Sequence, residues 1–137
     1  MIFSKPYKGD EIILYNYLTG IMGKLIDEFN SYRSKMNEKI LASDNKVMKR
    51  LYSLDTLTYQ EGALPAKTKE MLGLATSMVL RCDDCIKYHL EKCYEQGVTT
   101  DEMFELFGVA NLVGGSIVIP HTRRAVEFWE ELNDSAN

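Results

Sequence analysis

Cys82, Cys85 and His89 stand in the order C-x-x-C-x-x-x-H within a chain of 137 residues. Two cysteines three apart on a helix or its first turn share one face, and their sulfurs can close a disulfide with little backbone movement. His89 lies one turn beyond Cys85 on that face, which gives a thiol pair with an adjacent base, the minimum equipment for thiol-disulfide or peroxide chemistry. A thiol with an unperturbed pKa of about 8.5 is only a few per cent ionised at neutral pH, and lowering that value by two units takes about 2.7 kcal/mol. A helix N-terminus supplies about 0.3–1 kcal/mol when exposed and about 2 kcal/mol when partly buried. Asp83 and Asp84 oppose ionisation, so a specific base is needed, and His89 is the candidate.

A C-x-x-C pair outside an export context is redox-active, metal-binding or incidental. Cys93 is in phase with His89 and could complete a four-ligand set. However, the eleven residues from Cys82 to Cys93 span about 16 Å of helix, and tetrahedral zinc draws its ligands to within about 2.3 Å of one ion. Cys93 therefore reads as a buried apolar cysteine, and no metal is expected. His121, after Pro120, reads as structural. Arg123 and Arg124 could bind an acidic group, but beside Glu127, Glu130 and Glu131 they read as a solvated face of i,i+3 and i,i+4 pairs. The tyrosines and Trp129 read as core or interface residues.

Helices must position these groups. Ile21, Met22, Leu25, Ile26, Phe29, Tyr32, Met36 and Ile40 form one apolar stripe at three- and four-residue steps, predicting a helix over 21–41, with a short one near Asp10 to Tyr17. Ser43 and Asp44 can cap a second over 45–59, with Val47, Met48, Leu51, Leu54 and Leu57 inward, before Gly62 and Pro65 stop it. From Ala66 a helix carries Met71, Leu72, Leu74, Ala75, Met78 and Val79 and is apolar nearly all round, as at the centre of a core. Asp83 or Asp84 can cap the next, which runs through His89 and Cys93 to Gly97. Thr99 and Glu102 make a capping box for a helix with Met103, Phe104, Leu106, Phe107, Ala110 and Leu112 on its apolar face. Gly114 and Gly115 end it, and the last helix runs from near Ser116 to near Leu132, with Pro120 in or beside its first turn, where a missing N–H costs little. No strand pattern occurs. The expected fold is an all-α helical bundle of about six helices, in a single domain spanning 1–137.

Composition agrees: 45% of residues are hydrophobic and 26% charged, which fits a globular chain. A formal net charge of -4 offers no basic field, which argues against nucleic acid as a partner. Met1 to Gly9 lacks the apolar core of a signal peptide and no run approaches a membrane span, so no membrane association and a cytoplasmic location are expected. Three cysteines without an export signal make a structural disulfide framework the weaker interpretation.

The stretch from Lys67-Thr-Lys-Glu70-Met-Leu-Gly-Leu-Ala through Arg81-Cys82-Asp-Asp-Cys85-Ile-Lys-Tyr-His89 resembles the carboxymuconolactone decarboxylase and alkyl hydroperoxidase D family. The shared element is a Glu twelve residues before the first Cys, followed by C-x-x-C-x-x-x-H. The resemblance implies an alkyl hydroperoxidase D-like fold with a family core over about 45–132. It implies that Cys85 is the peroxide-attacking thiol, that Cys82 donates a proton and then closes the disulfide, and that Glu70 and His89 form a proton relay. It further implies a hydroperoxide substrate, an external dithiol or thiol reductant, no cofactor, and a homo-oligomer, trimeric or hexameric. Some peroxidase members carry a further His inside the C-x-x-C, where this chain has Asp84. The lactone-decarboxylase branch lacks the cysteine pair. On one unbroken helix Glu70 would lie about 18 Å from Cys82, too far for proton transfer, so the chain must bend near Arg81 and fold back to bring Glu70 to His89. Two other functions stay open: a lactone-decarboxylating lyase with His89 or His121 as base, and a zinc-binding or redox-sensing module without catalysis.

Overall fold

A computed structural model describes the backbone of residues 10–134 and the side chains from Lys24 onward. Its elements are α1 (Asp10–Ala42), α2 (Lys46–Thr58), α3 (Ala66–Leu80), α4 (Asp83–Glu95), α5 (Thr100–Gly114), a 3-10 turn (Ser116–Val118) and α6 (Ile119–Asp134), with no strand among the described residues. The all-α expectation holds. The expected short helix near Asp10 and the helix from Ile21 are one continuous helix, which contains Gly20 and Gly23 but no proline to break it. Met1 to Gly9 and the side chains of Ile21 and Met22 lie outside the described residues.

The core forms around the α3–α4 pair, with α5 packed on α3 and α6 on α4. Leu74 and Met78 of α3, Leu90 of α4, Met103 and Phe107 of α5, and Phe128 and Trp129 of α6 are all buried. α1 lies against α6, where Phe29 meets Phe128 edge to face at 5.9 Å and the Ile26 amide donates to the buried Glu131 carboxylate at 2.9 Å. Burial of such side chains contributes roughly 1.5–3 kcal/mol each, so these contacts supply most of what holds the helices in register.

Two helix starts differ from expectation in their capping residue. Asn45, not Ser43 or Asp44, caps α2, accepting from the amides of Val47 and Met48. Cys82, not an aspartate, caps α4: it has extended backbone angles, and its sulfur lies 3.4 Å from the Cys85 amide. Asp83 and Asp84 fall in the first turn, where the helix dipole favours a carboxylate. α6 starts after a 3-10 turn over Ser116–Val118, which leaves Pro120 in its first turn as expected. The Thr99–Glu102 capping box is present in both directions. Gly115 ends α5 at φ +77, a backbone region open to glycine and strained for other residues.

α2 departs most from its predicted packing. It buries no residue, and Val47, Leu51, Leu54 and Leu57 are each more than half exposed instead of facing inward. Its link to α1 is polar, a 2.7 Å hydrogen bond from the Tyr52 hydroxyl to Asn37. Leu72 of α3, and Phe104 and Leu112 of α5, are likewise exposed, so α3 is not enclosed all round. Among the described residues no helix is long and apolar enough to cross a membrane.

Candidate functional site

α3 ends in a left-handed turn at Arg81, at φ 60, and the Cys82 amide returns to the Ser77 carbonyl at 3.1 Å. This is a helix-closing turn normally given to glycine. It reverses the chain, sends α4 back along α3, and sets Cys82 at the α4 N-terminus. The predicted bend at Arg81 is therefore present, and its consequence for Glu70 follows directly. Glu70 and His89, 19 residues apart in sequence, meet with Oε2 2.8 Å from Nδ1. Both are buried, at 5% and 7% exposure.

An ionised carboxylate only accepts, so a hydrogen bond to Glu70 in that form places a hydrogen on Nδ1 of His89. Nε2 points to the Tyr59 hydroxyl at 3.4 Å, a long and weak contact. Tyr59 is the C-terminal cap of α2, and Lys69 of α3 fixes that turn by donating to the carbonyls of Thr58 at 2.9 Å and Gln60 at 2.7 Å. Burial, then the Glu70 charge, pushes the Tyr59 phenol above its ordinary value, which keeps it a hydroxyl at neutral pH. Tyr88 packs edge-on against the His89 ring at 5.1 Å, and the Arg33 guanidinium lies 4.2 Å over the Tyr88 ring. Gly73, one turn after Glu70, leaves the space the imidazole fills: a Cβ there would stand 2.6 Å from His89 Cε1.

Cys82 and Cys85 form a disulfide with their Cα atoms 5.3 Å apart. Cys85 is the exposed member and Cys82 is half-buried. Cys85 and His89 line one cavity of about 350 Å³, whose other walls include Phe29, Tyr32, Arg33 and Met36 of α1, Asp55 of α2 and Tyr88 of α4. All four predicted site residues thus lie on the α3–α4 pair, with Glu70 reaching the cysteine end through His89. The expectation for the tyrosines missed Tyr59 and Tyr88, and the α1 wall was not foreseen at all. Tyr59 sits outside the C-x-x-C segment with no spacing to mark it, and only the tertiary fold brings it to His89.

Cys93 is fully buried, and burial, then the Glu70 charge, pushes its thiol up to about 12. It is a core residue, as expected. Among the described residues no three His, Cys, Asp or Glu side chains are arranged to hold a metal ion. His121 and Arg124 do more than expected of them. His121 Nδ1 lies 2.7 Å from Asp83, and Arg124 Nη2 reaches the same carboxylate at 3.0 Å. Burial pushes the Asp83 carboxyl up, but the hydrogen bonds from His121 and Arg124 together outweigh it and hold the group below its ordinary value.

The family model for carboxymuconolactone decarboxylases matches residues 45–128, which contain Glu70, both site cysteines and His89. The chain belongs to the carboxymuconolactone decarboxylase family. A solved structure from Thermotoga maritima superposes with a TM-score of 0.78 at 49% identity, covering 80% of this chain and 96% of that one. A second structure of that Thermotoga protein, as a family member suggested to take part in the antioxidative response, gives a TM-score of 0.75 at 50% identity, over 78% of this chain and 91% of that one. Among curated relatives, 4-carboxymuconolactone decarboxylase of Acinetobacter baylyi is 32% identical over 69 residues, which are 50% of this chain and 49% of that protein. An uncharacterised protein of Cupriavidus necator is 27% identical over 74 residues, 54% of this chain and 66% of its own length. The chain thus spans between half and two thirds of these two curated relatives. The family match begins after α1, so the cavity wall from Phe29 to Met36 lies outside the matched segment.

Proposed function

We propose that the protein is a thiol-dependent peroxidase and disulfide oxidoreductase, working through Cys85 and Cys82 with Glu70 and His89 as proton relay. The observation that carries this reading is the exposed Cys85, in one cavity with a carboxylate-anchored histidine and within disulfide reach of Cys82. The Cys85 thiolate attacks the distal oxygen of a hydroperoxide: the S–O bond forms, the O–O bond breaks, and the departing alkoxide takes a proton to leave as an alcohol. Cys85 is then a sulfenic acid. The Cys82 sulfur attacks it, the S–S bond forms, and the hydroxyl leaves as water. An external dithiol returns two electrons, restoring both thiols and leaving as its own disulfide.

His89 suits the relay because Glu70 holds its Nδ1, so that in the neutral ring Nε2 is the accepting nitrogen, met only by the long Tyr59 contact. The antioxidative role suggested for the Thermotoga relative supports the reading. The exposed apolar face of α2 further supports a homo-oligomer, since a 13-residue helix with no buried side chain is marginal alone. The 32% identity to a lactone decarboxylase supports a second reading, a lyase with a histidine base, whose activity would survive alkylation of both thiols.

The test is stopped-flow consumption of cumene hydroperoxide by the reduced protein with dithiothreitol present. The wild type is expected to turn over and Cys85→Ser to lose turnover; in a parallel run without dithiothreitol, reduced Cys82→Ser is expected to consume one equivalent and accumulate the sulfenic acid. Unchanged consumption by Cys85→Ser, or none by a verified reduced wild type, would overturn the assignment.

A further inference from the structure

α6 brings a second set of charged side chains to the first turn of α4. Asp83 is the residue after Cys82, the half-buried sulfur that caps the helix. Its Oδ1 lies 2.7 Å from His121 Nδ1 and 3.2 Å from Arg124 Nη2, and its Oδ2 lies 3.0 Å from the same Nη2. Arg124 Nη2 and His121 Nδ1 are themselves 2.9 Å apart. An ionised carboxylate only accepts, so both nitrogens donate to it, and their mutual approach is two donors converging on one acceptor group. His121 and Arg124 are three apart on one face of α6, which is why a single helix can deliver both.

The consequence concerns the sulfurs. A bare carboxylate one residue from Cys82 disfavours a thiolate there by like-charge repulsion. Here that charge is not bare. A guanidinium contacts both of its oxygens and an imidazole N–H contacts one, so the field reaching the dithiol from Asp83 is largely cancelled. A reduced pair whose thiolate is favoured is more stable, and the corresponding disulfide is more readily reduced.

We propose that Arg124 and His121 are positioning residues for the dithiol: by neutralising Asp83 beside Cys82 they favour the thiolate form of the reduced pair and set how readily the Cys82–Cys85 disulfide is reduced. The inference rests on the dithiol-disulfide reading of the site. It assigns a function to residues that otherwise look like a surface ion pair.

The experiment equilibrates the full chain at pH 7 with mixtures of reduced and oxidised dithiothreitol and reads the dithiol fraction by maleimide mass shift. In the exchange one protein S–S bond breaks and one dithiothreitol S–S bond forms, two electrons pass to the protein, and the two dithiothreitol protons go to the protein sulfurs or to solvent. For Arg124→Gln, an uncompensated charge in this partly exposed setting is expected to move the equilibrium toward the disulfide on the order of three- to tenfold. That range corresponds to about 15–30 mV. His121→Gln moves it in the same direction. Asp83→Asn moves it the opposite way, since the guanidinium then stands alone, and the double variant Asp83→Asn with Arg124→Gln returns to within about twofold of wild type by the same cancellation.

A purely mechanical tether gives a different pattern, because removing either partner breaks the same contact and both single variants shift alike. Arg124→Gln and Asp83→Asn shifting in the same direction, or both staying within twofold of wild type, overturn the inference while leaving the dithiol reading intact. A wild-type protein whose cysteines do not exchange with dithiothreitol overturns both.

Discussion

Replacing Gly73 with alanine adds one methyl group at the tightest point of the site. The new Cβ would stand 2.6 Å from His89 Cε1, 2.7 Å from the Tyr59 hydroxyl and 2.9 Å from His89 Nδ1. Ordinary contact begins near 3.4 Å, so the imidazole must retreat by about 0.8 Å. Tyr88 and Tyr59 both have ring centroids 5.1 Å from that of His89 and restrict the retreat. Moving Nδ1 by that amount strains or breaks its 2.8 Å hydrogen bond to Glu70, leaving a buried carboxylate short of its partner. Overpacking costs about 1–3 kcal/mol and the lost charged hydrogen bond about 1.5–3 kcal/mol. Against these, alanine gains about 1 kcal/mol over glycine in a helix interior. The balance is a loss of about 1.5–5 kcal/mol, a fall in Tm on the order of 5–20 °C for a chain of this size.

Gly108→Ala provides the control, because a Cβ on that exposed helical glycine meets nothing within 4 Å. It should keep the gain alone and raise stability by about 0.5–1 kcal/mol. Differential scanning fluorimetry reads both variants, and stopped-flow peroxide consumption reads the site, where displacing His89 should cost on the order of 10²-fold in turnover. A Gly73→Ala protein that melts with Gly108→Ala, or that turns over within twofold of wild type, would refute the close packing of His89 against α3.

Of the three thiols, only Cys82 and Cys85 should react with a maleimide in the reduced native protein, and Cys93 only on unfolding; with its thiol pushed up to about 12, its thiolate at pH 8 is on the order of 10³-fold scarcer than that of an ordinary cysteine. Thr99→Ala removes one half of the α5 capping box and should lower stability by about 1 kcal/mol in urea titrations, with the midpoint shifting at unchanged slope. Asp83→Asn should destabilise the protein at neutral pH and lose that effect in acid. The folded-state carboxyl is held below its ordinary value, so its contribution is present above about pH 4 and fades as pH falls through the folded value. Urea midpoints at pH 7 and pH 3 decide it, and an equal difference at both would refute the charge interaction.

The helices and the site were legible in the sequence to different depths. A capping box such as Thr99–Glu102 is a local signal read within four residues, and it appears as predicted. The reversal at Arg81 was deduced from a distance: Glu70 could not serve His89 along a straight helix. The structure meets that requirement with a left-handed arginine, which no composition rule would have placed there. Cys82 as the cap of α4 was hidden for a related reason. Thiols are poor caps beside aspartates, and here the chain reversal fixes which residue takes the extended conformation.

Apolar periodicity states that a face exists, without stating what covers it. In α3 the apolar residues meet the core of the same chain, and Leu74 and Met78 are buried as the pattern requires. In α2 the same kind of stripe, Val47, Leu51 and Leu54, points away from the core, because the helix meets α1 through Tyr52 and Asn37 and presents Tyr59 to His89 at its end. The C-terminal end of α2 thus reaches the site through the long Tyr59 contact. Lys69 reinforces it by holding the Thr58 and Gln60 carbonyls. α2 therefore meets the rest of the chain through polar contacts, at Tyr52 and at its C-terminal turn, while its apolar stripe stays exposed, which is why periodicity alone placed that stripe on the wrong side.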